Sequence, residues 1–111
     1  MGDHFYGKVR SRTSATAATA TTGGVSATIT APTTPRHYSV SGIQTSSDAA
    51  CLVTIESPAS TVLWRKRYAA AHAASEVFEL GTIVGAAGAA VLVKTSASTS
   101  NTEANIQALL V

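Results

Sequence analysis

Apolar and polar residues alternate with a period of two along much of this chain, and no segment reads as a crossover helix. Val25-Ser26-Ala27-Thr28-Ile29-Thr30 alternates cleanly, with Val25, Ala27 and Ile29 on one face, and predicts a strand. Tyr38-Ser39-Val40 alternates as well. Gly42 then breaks the parity, so that Ile43 falls on the face opposite Val40, which predicts a bulge or bend. Ser46-Ser47-Asp48 is a turn signal. Cys51 to Ile55 is apolar on both sides apart from Thr54 and predicts a central strand, with Cys51, Val53 and Ile55 facing the core. Pro58 cannot donate to a ladder, so Ser57 to Ser60 should be a turn. Thr61 to Arg67 predicts the next strand, with Val62, Trp64 and Lys66 on one face and Leu63, Arg65 and Arg67 on the other.

Ala69 to Ser75 is rich in helix-favouring alanine but too short to hold a helix alone, so it reads as a loop or a single helical turn. Glu76 to Leu80 predicts a short strand with Phe78 and Leu80 inward. Gly81 to Gly88 predicts a glycine-punctuated connection, Ala89 to Thr95 a strand, and Ala104 to Val111 a final strand. Seven strands at short, regular spacing predict an all-β domain, an antiparallel β-sandwich or jelly-roll-like barrel, over residues 25–111.

Residues 1–24 differ in kind. Phe5 and Tyr6 stand beside Lys8, Arg10 and Arg12, and Thr13 to Gly24 has no large apolar side chain. Such a segment cannot offset its own ordering entropy. It predicts an extended N-terminal arm, with two readings open: a free tail, or an arm ordered on a neighbour through Phe5 and Tyr6, with Lys8, Arg10 and Arg12 against acidic surface.

Composition sharpens this picture. Ala, Ser and Thr supply 50 of the 111 residues, and only six are aromatic, so the core is thin in large side chains and help from a partner or oligomer is expected. Eight Lys and Arg against six Asp and Glu are few charges for a free monomer, and the net charge of +2 does not by itself imply nucleic acid or membrane. The single cysteine, Cys51, excludes an internal disulfide and reads as a small buried hydrophobe. Met1 to Arg12 is polar and basic, unlike a secretory leader, which predicts synthesis in the cytosol. No run approaches the roughly 20 apolar residues of a membrane span, so no membrane association is expected.

Candidate chemistry is sparse. His4, His37 and His72 lack metal-ligand spacing and read as surface or loop residues. The six carboxylates are scattered, and Glu76 and Glu79 would lie on opposite faces of one strand, a poor acid–base pair. Gly81, Gly85 and Gly88 lack the Lys-Ser/Thr ending of a phosphate loop. No enzyme, cofactor or metal is expected. Trp64-Arg65-Lys66-Arg67-Tyr68 is the one basic–aromatic cluster. Stacking and phosphate contact would use it, but one triplet in a chain of this charge favours a core or interface anchor at Trp64 and a solvated or intersubunit face at Arg65, Lys66 and Arg67.

From about Val25 onward the order of elements resembles small β-sandwich structural proteins of tailed-phage particles. The residues that carry the resemblance are Tyr38, Val40, Gly42 and Ile43; Val53-Thr54-Ile55; Val62-Leu63-Trp64; Phe78, Leu80 and Gly81; Gly88 to Val93; and Asn105-Ile106-Gln107-Ala108. The resemblance implies a capsid decoration (cement) protein, located on the virion surface, that binds the major capsid protein, often as a trimer, and supplies no catalytic residues. Head or tail appendage modules that bind a host receptor or glycan share the same pattern.

Overall fold

A computed structural model describes residues 11–20, 24–96 and 101–111. Among them are eight strands and no helix: β1 (Ser11–Ala20), β2 (Ser26–Ile29), β3 (Tyr38–Ser47), β4 (Cys51–Glu56), β5 (Val62–Tyr68), β6 (His72–Val77), β7 (Val91–Thr95) and β8 (Thr102–Leu110). They form two four-stranded antiparallel sheets, in the orders β1-β8-β3-β6 and β2-β7-β4-β5.

The pairing follows one rule. β1 pairs with β8, β2 with β7, β3 with β6 and β4 with β5. The chain is therefore one long antiparallel hairpin, strands β1–β4 against β5–β8, rolled so that successive pairs fall in alternate sheets. The β3–β8 and β4–β7 pairs close the roll. This is the eight-stranded jelly roll, the more specific of the two architectures that the strand spacing predicts.

Alternation places the core. Ala27 and Ile29 of β2, Val91 and Val93 of β7, and Cys51, Val53 and Ile55 of β4 face inward from one sheet. Val40 and Ile43 of β3 and Ala104, Ile106 and Ala108 of β8 meet them from the other. Val40, Val53, Ile55, Val91, Val93 and Ile106 are fully buried. One row across the second sheet, Ala27–Val93–Ile55–Trp64, grows in side-chain size towards β5. The bulge expected at Gly42 lies between Val40 and Gly42 where β3 meets β8. Gly24 has a steric reason: a Cβ there would run into the carbonyl of Thr95.

Three expectations change. Residues 69–75 are not a loop or helical turn throughout, because β6 begins at His72 and pairs with β3. The strand expected over Glu76–Leu80 ends at Val77, and Leu80 is exposed rather than inward. The expected arm contributes β1, which pairs with β8 from Ser11 to Ala20. β7 and β8 are interior strands, each paired on both sides.

Candidate interaction surface

The two sheets are open along the flank where β5 and β6 are edge strands, and side chains close it. Register puts Trp64, Lys66 and Tyr68 of β5 on the same face as Ile55, Val53 and Cys51, and His72, Ala74 and Glu76 of β6 on the same face as Ser47, Thr45 and Ile43. These inner positions meet between the sheets. The Trp64 and Phe78 rings pack edge to face, 5.5 Å between centroids and 76° apart. Lys66 Nζ donates to Glu76 Oε2 at 2.9 Å. Tyr68 stacks on His72, 3.7 Å between centroids and 4° apart, and Lys66 Nζ lies 5.2 Å from the Tyr68 ring centre.

His72 reaches side chains of both sheets. Its Nε2 shares a hydrogen bond of 3.0 Å with Thr45 Oγ1, and its Nδ1 lies 3.9 Å from Cys51 Sγ. Burial, and then the charge of Lys66, push its pKa below the usual histidine value. Burial raises the Cys51 thiol and the Tyr68 phenol. The hydrogen bond to Glu76 raises Lys66. His72 is thus half-buried between the sheets and not the surface or loop histidine that its sequence context predicts. Cys51 is buried, as expected.

Among the described residues the exposed large hydrophobic side chains are Val62, Val77, Leu80 and Val84. They lie on β5, at the end of β6, and on the loop that continues past it. That loop runs along β3, with Phe78 N donating to Ser41 O, Val40 N to Ile83 O and Gly85 N to Tyr38 O. Val77 is 84% exposed, though it ends a strand in a sheet whose inner face is fully packed.

The outer faces of the two sheets differ. On the β3–β6–β8 face a groove of about 380 Å³ is lined by Gln44, Thr45, Ser46, Ser75, Glu103 and Asn105, with Ala73, Ala74 and Ala104 between these amides, hydroxyls and one carboxylate. The β4–β5–β7 face carries Arg65, Arg67 and Lys94, all exposed. Its one carboxylate, Glu56, is engaged locally: it accepts from Ser60 N at 2.7 Å and from Thr54 Oγ1 at 2.9 Å. The Ser60 hydrogen bond, foremost, holds its pKa below the usual carboxylate value. That bond also fixes Ser60 in a left-handed conformation, φ 79°, in the β4–β5 turn.

The basic–aromatic cluster is therefore split by the pleat. Trp64 and Lys66 turn into the seam, and Arg65 and Arg67 turn out to solvent. Phe5, Tyr6, Lys8 and Arg10 lie outside the described residues. Arg12 is placed by its backbone alone, opposite Leu109 in the β1–β8 pair. Leu80, expected inward, is exposed because β6 ends at Val77 and the chain leaves the sheet there. Comparison with known protein families gives no match, and comparison with curated proteins gives none either.

Proposed function

We propose that this chain is a virion structural protein of a tailed phage, a capsid decoration (cement) protein that binds the assembled major capsid protein shell. The observation that carries this reading is the exposure of four large hydrophobic side chains, Val62 on β5, Val77 at the end of β6, and Leu80 and Val84 on the loop that follows. Large apolar side chains left in solvent favour burial against a partner. The jelly-roll topology supports it by analogy, since that architecture recurs in viral capsid domains. Few surface charges suit a protein covered by neighbours. The arm, with Phe5, Tyr6, Lys8, Arg10 and Arg12, adds a second attachment point. Cementing works by mass action: a ligand that binds only the assembled shell stabilises that shell. A closed ring of three copies on the particle agrees with the marginal apolar content and leaves no open-ended association.

A second reading has its own observation. The groove of Gln44, Ser46, Ser75, Glu103 and Asn105 offers donors and acceptors suited to sugar hydroxyls, and jelly rolls also serve as lectin domains. On this reading the chain is a head or tail appendage module that binds a receptor glycan. Imaging the particle and counting copies of the chain separates the two. Cement protein should occupy every equivalent capsid site. An appendage should occur in a few copies at one vertex or tail. Absence from purified particles would rule out both.

A further inference from the structure

We infer that the outer face of the β2-β7-β4-β5 sheet is a docking surface for an extended acidic segment of a partner protein, bound through Arg65, Arg67 and Lys94. Register brings these cations together. Ser26, Lys94, Thr54 and Arg65 form one row across all four strands, and Leu52 and Arg67 are paired in the next row. Strands about 4.8 Å apart put Lys94 and Arg65 roughly 10 Å from each other, and two residues along β5 put Arg65 and Arg67 roughly 7 Å apart. Beside Lys94 a shallow cavity of about 180 Å³ is lined by Leu52, Thr54, Glu56, Lys94 and Ser96. Arg65, Arg67 and Lys94 form no ion pair among the described residues; the one present joins Lys66 to Glu76, across the seam. Lys94 lies within electrostatic reach of the Glu56 carboxylate, which also accepts from Ser60 N and Thr54 Oγ1. The face therefore presents two unpaired arginines and a lysine partly offset by Glu56, beside a hollow lined by hydroxyls, Leu52 and that carboxylate.

The chemistry selects carboxylates over nucleic acid. Single-stranded nucleic acid is held by aromatic stacking, but Trp64 and Tyr68 face the opposite way and are already packed on Phe78 and His72. Duplex binding uses more phosphate contacts, about 6–10 in well-studied cases, than three side chains supply. Two arginines at alternate positions of one strand suit bidentate pairing with carboxylates spaced along an extended chain. The strand's edge is not the recognition element. Lys66 points inward from β5, a device that discourages pairing of a further strand. This inference is independent of the virion reading, because it concerns the chemistry of the face and is tested with a synthetic probe.

The test uses the full chain and a fluorescent oligoglutamate peptide, with a single-stranded oligodeoxynucleotide of matched charge as comparison, read by anisotropy in low salt. The Arg65→Gln/Arg67→Gln/Lys94→Gln protein should bind the peptide at least about tenfold more weakly than wild type. The Arg36→Gln protein, which loses one exposed charge away from this face, should bind as wild type does, whereas Arg67→Gln alone should already weaken binding. Circular dichroism checks folding, and Arg67→Gln alone, at a solvent-facing position, serves if the triple variant does not fold. Equal loss in the Arg67→Gln and Arg36→Gln proteins, no peptide binding by wild type, or tighter binding of the oligonucleotide through the same three residues would each overturn the inference.

Discussion

The aliphatic interior and the β5–β6 flank close the same sandwich by different means. In the interior, Val40, Val53, Ile55, Val91, Val93 and Ile106 interlock with no exposure and no polar contact to satisfy. On the flank, closure depends on an edge-to-face ring pair, one exposed ion pair and a histidine stacked on a tyrosine. The interior gains stability in proportion to apolar area removed from water. The flank gains less per residue and depends on protonation, but it leaves hydrophobic side chains outside for another molecule to cover. A fold can thus separate what holds it together from what it presents.

Substitutions should expose that difference in descending order. Ile55→Ala, in the middle of the interior, should cost about 3 kcal/mol, because the closed-in site cannot collapse around the lost methylenes. A loss below about 1 kcal/mol in urea unfolding would mean that the interior is loosely packed. Trp64→Ala should cost less, about 2 kcal/mol, since the ring is only half-buried and loses chiefly its contact with Phe78. An effect as large as that of Ile55→Ala would place Trp64 in the interior proper.

Acid should act on the flank before it acts on the interior. The folded-state pKa of His72 lies below 6.5, so the unfolded chain takes up the proton first. Stability is then complete above pH 6.5, falls as pH drops through that value, and levels off below the folded-state pKa. Glu56, whose pKa is also lowered, adds a separate loss that begins nearer pH 4.5. Melting temperatures of wild type and His72→Gln between pH 6.5 and about pH 5 should diverge, with the variant flatter. Parallel curves would remove His72 as the cause. Lys66→Gln should have the smallest effect, with a melting temperature close to wild type, because its ion pair with Glu76 is half-exposed and screened.

Much of the interior could be read from the chain. Val25 to Ile29, Cys51 to Ile55 and Val91 to Thr95 follow the inside–outside alternation that a sandwich imposes, and the bulge at Gly42 was marked by a break in parity. The flank could not be read in the same way, for a physical reason. The inward positions of β6 are His72, Ala74 and Glu76, so its period-two pattern is polar on the side that faces the other sheet. Its partners, Lys66 and Tyr68, supply the complementary charge and ring, and they become neighbours only after folding. Alanine's helix preference then dominated the local reading, and pairing with β3 overrode it. The arm residues Phe5, Tyr6, Lys8 and Arg10 lie outside the described residues, so their expected role stays with the attachment experiment.

The central claim is that the apolar group beside the flank serves attachment and not folding. The most direct measurement compares wild type with the Val77→Asp/Leu80→Asp protein, reading thermal melting and co-sedimentation with capsids stripped of this chain. Both side chains are largely in solvent, so melting should be unchanged, whereas attachment should weaken by at least about tenfold once charge is placed where a partner must exclude water. Unchanged attachment, or a loss of melting temperature comparable to that of Ile55→Ala, would contradict the account.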